Sequence, residues 1–253
     1  MSLFNILVQP VAKLNTFYTM KTLSVLSVVL VFTLGSCSTT ELLTSDVKPS
    51  EVVDLQYFEP FSYVSEDKEM LNDSLSSDSK QRLNEIVQEF KDKISLTGTI
   101  FVTNNTIKQR LEKDIENLIL SASDIKLLSI SSIRITPLID SLLESNNKRF
   151  GLITVEYGYI RTHSNNAKLK ALQITGAVVI GVPLFILTHG FFHSSPFSLS
   201  DKSFSDLYVM IVDADQDNIA FYRKSIKNGD PTDKNVLTYQ FKNFFKGYYF
   251  TKN

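Results

Sequence analysis

The sequence LYVMIVDADQDNIAFYRK, from Leu207 to Lys224, contains two strands around which the other elements can be placed. Leu207 to Val212 is apolar on both faces, which is typical of a central strand that is buried on both sides of a sheet. Asp213 to Asn218 is a polar turn, and Ile219 to Lys224 is a second strand that contains Phe and Tyr. The stretch therefore predicts a β-hairpin whose first strand lies in the middle of the sheet.

A longer strand is predicted upstream of the hairpin, from Phe150 to Arg161. Its apolar residues alternate with less apolar ones, as in a strand with two different faces. The apolar face consists of Ile153, Val155, Tyr157 and Tyr159. Thr154, Glu156 and Gly158 form the other face, which we expect to be partly in contact with water.

Four segments have apolar residues at helical spacing and are predicted to be helices that cover a core. The first follows the polar, serine-rich loop Ser65 to Ser79, and the second begins at the N-cap residue types of positions 104–106. Thr136-Pro137 begins the third helix, and Thr232 or Asp233 begins the last. The apolar faces are Leu83, Ile86, Val87, Phe90 and Ile94; Ile107, Leu111, Ile115, Leu118 and Ile119; Leu138, Ile139, Leu142 and Leu143; and Val236, Leu237, Phe241, Phe244, Phe245 and Tyr248.

Two further segments favour strands. Thr99 to Val102 is short and β-branched and lies between the first two helices. Val52 to Val64 is aromatic, and because Pro60 interrupts it we expect an edge strand or an extended arm. Residues 125–135 fit a helix and a strand equally well. The elements together predict an α/β fold, with α+β as the alternative, in which amphipathic helices pack on a mixed sheet of about four or five strands.

The N-terminal region has the features of a secretory signal. In Met20 to Cys37, MKTLSVLSVVLVFTLGSC, a positive charge at Lys21 precedes a charge-free run of twelve residues, Leu23 to Leu34. That run is too short to be kept as a membrane span. Residues 1–19 fit no signal design, so we expect Met20 to be the start, with Met1 as the alternative. An uncleaved anchor helix and an ordinary signal peptide are the other interpretations, and Cys37 argues against both.

Leu34-Gly35-Ser36-Cys37 resembles the lipobox of bacterial lipoproteins. By that resemblance the signal peptide, residues 20–36, is removed, the Cys37 thiol is diacylated, and the new amino terminus is acylated. Two or three fatty chains would give a stable attachment to a membrane. The residue after the cysteine is Ser38 and not Asp, and by resemblance to lipoprotein sorting rules this implies the outer membrane of a Gram-negative envelope.

The mature chain is expected to be a tether followed by one domain. Residues 37–51, rich in Ser and Thr, form the tether, which would reach about 20 Å as a flexible chain. Residues 52–253 form a single α/β domain that contains an apolar insertion at residues 171–200. Because Cys37 is the only cysteine, no disulfide is expected, and stability must come from a packed core.

The apolar insertion is the most unusual segment of the mature chain. Thirty consecutive residues between Lys170 and Asp201 carry no charge. One interpretation is membrane contact, and the other is a buried helix or an apolar loop that covers the sheet. Gly181 and Pro183 interrupt the segment, and a single span would separate strands that must pair, so only a hairpin that returns on one side fits a bilayer. The candidate membrane-contact residues are Ile174, Val178, Val179, Ile180, Leu184, Phe185, Ile186 and Leu187.

The histidines supply a pair with the spacing of a metal site. His163, His189 and His193 are the only histidines, and the last two are four residues apart. Neither the Glu of a metalloprotease motif nor a Cys ligand accompanies them, which favours two histidines at the rim of an apolar segment. We therefore expect no metal at this pair.

The aspartates of the hairpin turn imitate the first half of a calcium loop. Asp213, Asp215 and Asp217 alternate, but Asn218 stands where the loop needs Gly, and Lys224 stands where it needs a bidentate Glu. A plain turn is the better interpretation. The chain also has no nucleophile elbow, phosphate-binding Gly loop or dinucleotide fingerprint, so no cofactor and no catalytic residue is predicted.

The hairpin VMIVDADQDNIAFYR is similar to the closing hairpin of several envelope lipoprotein families, including the curli-secretion type. Those families usually have Thr-Gly in the turn, whereas this chain has Gln216-Asp217-Asn218. The formal net charge of −1 gives no basic excess that would attract nucleic acid. We expect a lipid-anchored, non-catalytic binding or assembly component whose partners are the membrane, through acylated Cys37, and envelope proteins or further copies. The alternatives are an oligomeric membrane-inserting protein that uses residues 171–192, and an envelope hydrolase whose Asp, Ser and His are scattered along the chain.

Overall fold

The computed structural model describes residues 40–44, 47–67, 70–123, 130–162 and 203–249. They form an open, mixed sheet with helices packed on both of its faces. The α/β prediction is therefore confirmed. None of the helices in these ranges is long and apolar enough to cross a membrane.

The strands and helices have the following bounds. The strands are β1 (Thr40–Thr44), β2 (Leu55–Phe58), β3 (Phe61–Asp67), β4 (Met70–Leu71), β5 (Leu96–Ile100), β6 (Phe150–Tyr159), β7 (Phe204–Asp213) and β8 (Asn218–Asn228). The helices are α1 (Asp73–Glu89), α2 (Asn105–Ser123), α3 (Pro137–Glu144) and α4 (Lys234–Phe245), with 3-10 turns at Pro49–Glu51 and Ile130–Ser132. The strand order is β1-β8-β7-β6-β2-β5, and β3, which carries β4 on its other side, also pairs with β6.

The centre of the sheet is the predicted hairpin. β7 lies between β6 and β8 and is antiparallel to both. All ten of its residues are buried, as expected for an apolar strand with helices on both faces. The central position of this strand and the hairpin itself are confirmed, and β8 continues beyond Lys224 to Asn228.

The aromatic segment around Pro60 is not at the edge of the sheet. β2 runs parallel to β6 on one side and to β5 on the other, so the expectation of an edge strand or arm is wrong for it. Proline has no N–H for a ladder, and Pro60 lies in the short break between β2 and β3. The break lets both strands pair with β6 while the proline stays outside the ladders.

The second face of β6 is dry, so the expectation of a partly wet face is wrong. Thr154, Glu156 and Gly158 are all buried, because α1 and α4 pack on this side of the sheet. α2 and α3 cover the opposite face, where Ile153, Val155 and Tyr157 lie. The polar groups of the buried face are bound internally: the Thr154 hydroxyl, for example, lies 2.8 Å from the Tyr57 hydroxyl.

The predicted helices form, and their caps explain where they begin. The Asn104 side chain accepts the N–H groups of Thr106 and Ile107 at 2.9 and 3.1 Å, and Asp233 caps α4 in the same way. α1 starts earlier than predicted, because the Asn72 side chain caps it by accepting the Leu75 N–H at 3.2 Å. The predicted loop Ser65–Ser79 therefore contains the end of β3, β4 and the first turns of α1.

Two strands differ from the sequence prediction. β1 lies within the stretch interpreted as a tether, and its backbone pairs antiparallel with β8, Thr40 opposite Ser225 and Thr44 opposite Phe221. The predicted strand Thr99–Val102 is β5, which begins and ends a few residues earlier. Both differences come from ladder partners that are distant in sequence and do not show in local composition.

Candidate functional site

Most of the residues that the sequence singles out for function lie outside the described residues. They are the lipidation site Cys37, the histidines His163, His189 and His193, and the membrane-contact residues Ile174, Val178, Val179, Ile180, Leu184, Phe185, Ile186 and Leu187. Within the described ranges, the feature that best fits a functional surface is the outer edge of β5.

The β5 edge, defined as residues 96–100, ends the sheet. Its inner side runs parallel to β2, and no strand of the described ranges pairs with its outer side. The Glu59 N–H donates to the Ile100 carbonyl at 3.3 Å, so the backbone groups of Ile100 point towards β2. Successive residues of a strand direct these groups to opposite sides, so Thr99 directs its N–H and C=O to the open side.

A tight connection from α1 positions this edge. The chain turns at Ser95, which has a positive φ of 55°, and the Leu96 N–H donates back to the Lys91 carbonyl at 2.8 Å. The register with β2 then shifts, so that Gly98 lies opposite Gln56. A Cβ at Gly98 would lie 2.8 Å from the side-chain nitrogen of Gln56, and glycine therefore suits this position.

The β5 edge carries neither of two residue types that commonly protect an exposed strand. Edge strands commonly carry Lys or Pro, which prevent pairing with another chain, whereas residues 94–107 contain no charge and no proline. Phe101, directly after the strand, is 68% exposed. Ile107, at the start of α2, is 40% exposed, although the sequence places it on the buried face of that helix. The edge and its apolar end form a surface that can accept a strand.

The hairpin turn between β7 and β8 is built around a buried carboxylate. Asp213 accepts Nε and Nη2 of Arg149 at 2.8 and 2.7 Å. Its Oδ1 also accepts the N–H groups of Asp215 and Gln216 at 3.0 and 3.3 Å. The hydrogen bonds to Asp213 raise the pKa of the Arg149 guanidinium, and so does the negative charge of Asp215, whose Oδ2 lies 3.3 Å from Nε of Arg149. These contacts define a plain turn closed by its own aspartate, and within the described residues no three His, Cys, Asp or Glu side chains are grouped to hold a metal.

A polar cavity of about 440 Å³ opens beside this turn, lined in part by Arg134, Arg149, Gln216 and Asn218. Both arginines already bind protein groups. Arg134 donates to the Gln216 carbonyl at 3.1 Å, and Arg149 holds Asp213. The cavity is therefore explained by the contacts that close the turn, and we assign it no ligand.

The dry face of β6 contains a polar network that links three strands to two helices. The Glu156 carboxyl lies 2.7 Å from the Ser79 hydroxyl of α1 and 2.7 Å from the Ser205 hydroxyl of β7. The Ser205 hydroxyl is 2.8 Å from Oε1 of Gln240 in α4, whose Nε2 donates to the carbonyls of Ser205 and Ser225. Burial raises the pKa of Glu156 to about 8, partly opposed by these two hydroxyls. The network joins the helical layer of α1 and α4 to the sheet.

Comparison with solved structures gives matches that include two structures of PelC. A PelC dodecamer from Paraburkholderia phytofirmans has a TM-score of 0.39 and 5% identity, over 85% of this chain and 100% of that one. A PelC substitution variant from the same organism has a TM-score of 0.36 and 5% identity, over 83% of this chain and 96% of that one. No protein-family model and no curated protein matches the sequence.

Sequence reasoning missed both the β5 edge and the Glu156 network. A signal for the edge was present, because residues 94–107 form a fourteen-residue run without a charge or a proline. Its position at the end of the sheet depends on strand order, which the sequence does not show. The sequence indicates for Glu156 only a polar residue on a face expected to be wet, since its partners are 77 and 49 residues away in the chain.

Proposed function

We propose that this protein is a lipid-anchored component of a bacterial cell envelope, held in the outer membrane, that acts by associating with other protein chains and not by catalysis. The lipobox-like sequence Leu34-Gly35-Ser36-Cys37 supports the anchor. The observation that supports association is the β5 edge, which combines backbone groups that no described strand pairs with, an uncharged sequence and an exposed Phe101.

The internal chemistry of the described residues supports a role without catalysis. Two of the buried carboxylates, Glu156 and Asp213, bind groups of their own fold: Ser79 and Ser205 for the former, and Arg149 for the latter. Each contact joins parts of the chain that are far apart in sequence. The raised pKa of Glu156 is therefore accounted for by its burial in a structural contact.

The anchor is tested by acylation in a Gram-negative host supplied with an alkyne analogue of palmitate. We expect the wild-type chain to incorporate the label and to lose the residues before Cys37, as read by intact-protein mass. The Cys37→Ser variant should show neither change, because it has no thiol to acylate. Ser38→Ala, a matched change at the next residue, should retain both. An unlabelled wild-type chain, or label that persists in Cys37→Ser, would contradict the proposal.

A further inference from the structure

The β5 edge is suited to pairing with itself. Strands related by a two-fold axis perpendicular to a sheet are antiparallel, and two-fold dimers are the commonest homo-oligomers. We propose that two copies of this chain pair through antiparallel β5 strands and so join their sheets into one. The inference rests on the proposed function, in which the protein acts by association, and it identifies the partner as a second copy.

The backbone of β5 is available for such a ladder. Gly98 and Ile100 pair inward with Gln56 and Phe58, whereas Thr99 presents its N–H and C=O outward. A two-fold axis at Gly98 sets residues 97 and 99 of one copy opposite residues 99 and 97 of the other. New hydrogen bonds therefore form without breaking those between β5 and β2, as in β-strand addition.

The charges favour the antiparallel arrangement. Lys91, Asp92 and Lys93 are exposed and precede the strand with a net positive charge, and residues 94–107 after them carry no charge. Antiparallel pairing places these positive segments of the two copies beyond opposite ends of a five-residue ladder, which is itself about 17 Å long. That length exceeds the screening length of about 8 Å at physiological ionic strength, whereas parallel pairing would bring the two positive segments together.

Apolar contact adds to the ladder at each end. Phe101 is three residues beyond Gly98, so the two-fold axis brings it to position 95 of the second copy, next to half-buried Leu96. Pairing therefore removes two copies of an exposed phenylalanine from water, and aromatic side chains dominate the energetics of interfaces.

The test is the protein mass of the full chain in detergent, measured by light scattering with the detergent contribution subtracted. Wild type should have twice the mass of one chain at high concentration. Thr97→Lys, which adds a charge at the exposed edge, should raise the dimer dissociation constant at least tenfold, and so should Thr99→Pro, which removes the outward N–H. Ser121→Lys adds the same charge on the exposed face of α2 and should leave the dimer intact.

The outcomes separate this inference from the proposed function. Palmitate label is measured on the same samples, and circular dichroism shows that each variant is folded. A labelled wild-type chain that keeps the mass of one chain would overturn the pairing and leave the anchor standing. A dimer that survives folded Thr97→Lys would also overturn it, since the contact would then lie elsewhere. An unlabelled chain that dimerises through the β5 edge would overturn the anchor alone.

Discussion

At the residue scale, Glu156 is the clearest case of a side chain whose protonation is set by its neighbours. The Ser205 hydroxyl has one proton and lies within hydrogen-bond distance of two acceptors, Glu156 Oε1 and Gln240 Oε1. The Gln240 amide cannot turn round, because its Nε2 is used by the carbonyls of Ser205 and Ser225. All contacts are satisfied when Glu156 is protonated and donates to Ser205, which then donates to Gln240. Its raised pKa is consistent with this count.

The first prediction follows from this count of hydrogen-bond donors and acceptors around Glu156. Glu156→Gln places an N–H where the carboxyl proton lies and keeps an acceptor for Ser79, so we expect it to be at least as stable as wild type at pH 7. Glu156→Ala leaves buried hydroxyls without a partner and creates a cavity, and should lower the free energy of unfolding by about 3 kcal/mol. Urea unfolding of a chain that lacks residues 1–37 measures both.

Glu144→Gln is the matched control for this pair of variants, since Glu144 is exposed at the end of α3. It should change the free energy of unfolding by less than about 0.5 kcal/mol. If Glu156→Gln were as destabilising as Glu156→Ala, the carboxyl would be ionised in the folded protein and the proton count would be incorrect.

At the element scale, the β7–β8 hairpin depends on the Arg149–Asp213 pair. Asp213 is fully buried, and Arg149, with its side chain 36% exposed, supplies its only charged hydrogen-bond donor among the described contacts. Arg149→Met would leave a buried carboxylate with only two backbone N–H donors, so we expect the free energy of unfolding to fall by about 3 kcal/mol. Urea unfolding measures this loss. Because the turn is closed by its own aspartate, calcium added to wild type should not raise the urea concentration at the midpoint of unfolding.

Arg134→Met provides the comparison, because Arg134 also lines the cavity and contacts the same turn. Its side chain is 68% exposed and lies 3.6 Å from Asp217, which is itself exposed. A pair of this kind contributes at most about 1 kcal/mol. If Arg149→Met and Arg134→Met lowered the free energy of unfolding equally, the bidentate contact between Arg149 and Asp213 would stabilise the hairpin no more than an exposed ion pair does.

The elements also show where sequence reasoning succeeds. β7 and α2 were predictable because their signals are local: an apolar run for β7, and an Asn104 cap followed by helical periodicity for α2. β1 and the dry face of β6 were not, because each depends on a distant partner. Thr40 pairs with Ser225, and the polar face of β6 is dry only because α1 and α4 pack on it. Strand order and helix placement determine both, and neither leaves a signal in a short window of sequence.

At the scale of the whole molecule, the buried acids set how stability depends on pH. Burial raises the pKa of Glu156 to about 8 and that of Asp206 to about 6, although Lys224 opposes the latter. The negative charges of Asp206 and Asp230 raise the pKa of Glu156 further. In the unfolded chain Glu156 would titrate near its ordinary 4.5, so between these values the folded state holds more protons than the unfolded state. The free energy of unfolding should therefore fall as pH rises from about 4.5 to 8.

The last prediction concerns this fall in the free energy of unfolding as pH rises. Each group contributes a slope of at most about 1.4 kcal/mol per pH unit, Asp206 up to pH 6 and Glu156 up to pH 8. In urea unfolding at pH 5, 6, 7 and 8, wild type should lose stability throughout, because the unfolded chain releases protons that the folded chain keeps. Glu156→Gln should lose stability only up to about pH 6, where Asp206 stops contributing, and Glu144→Gln should follow wild type. If the free energy of unfolding of wild type rose from pH 5 to 8, Glu156 would be ionised in the folded protein. The hydrogen bonds that join α1 and α4 to the sheet would then not depend on the carboxyl proton of Glu156.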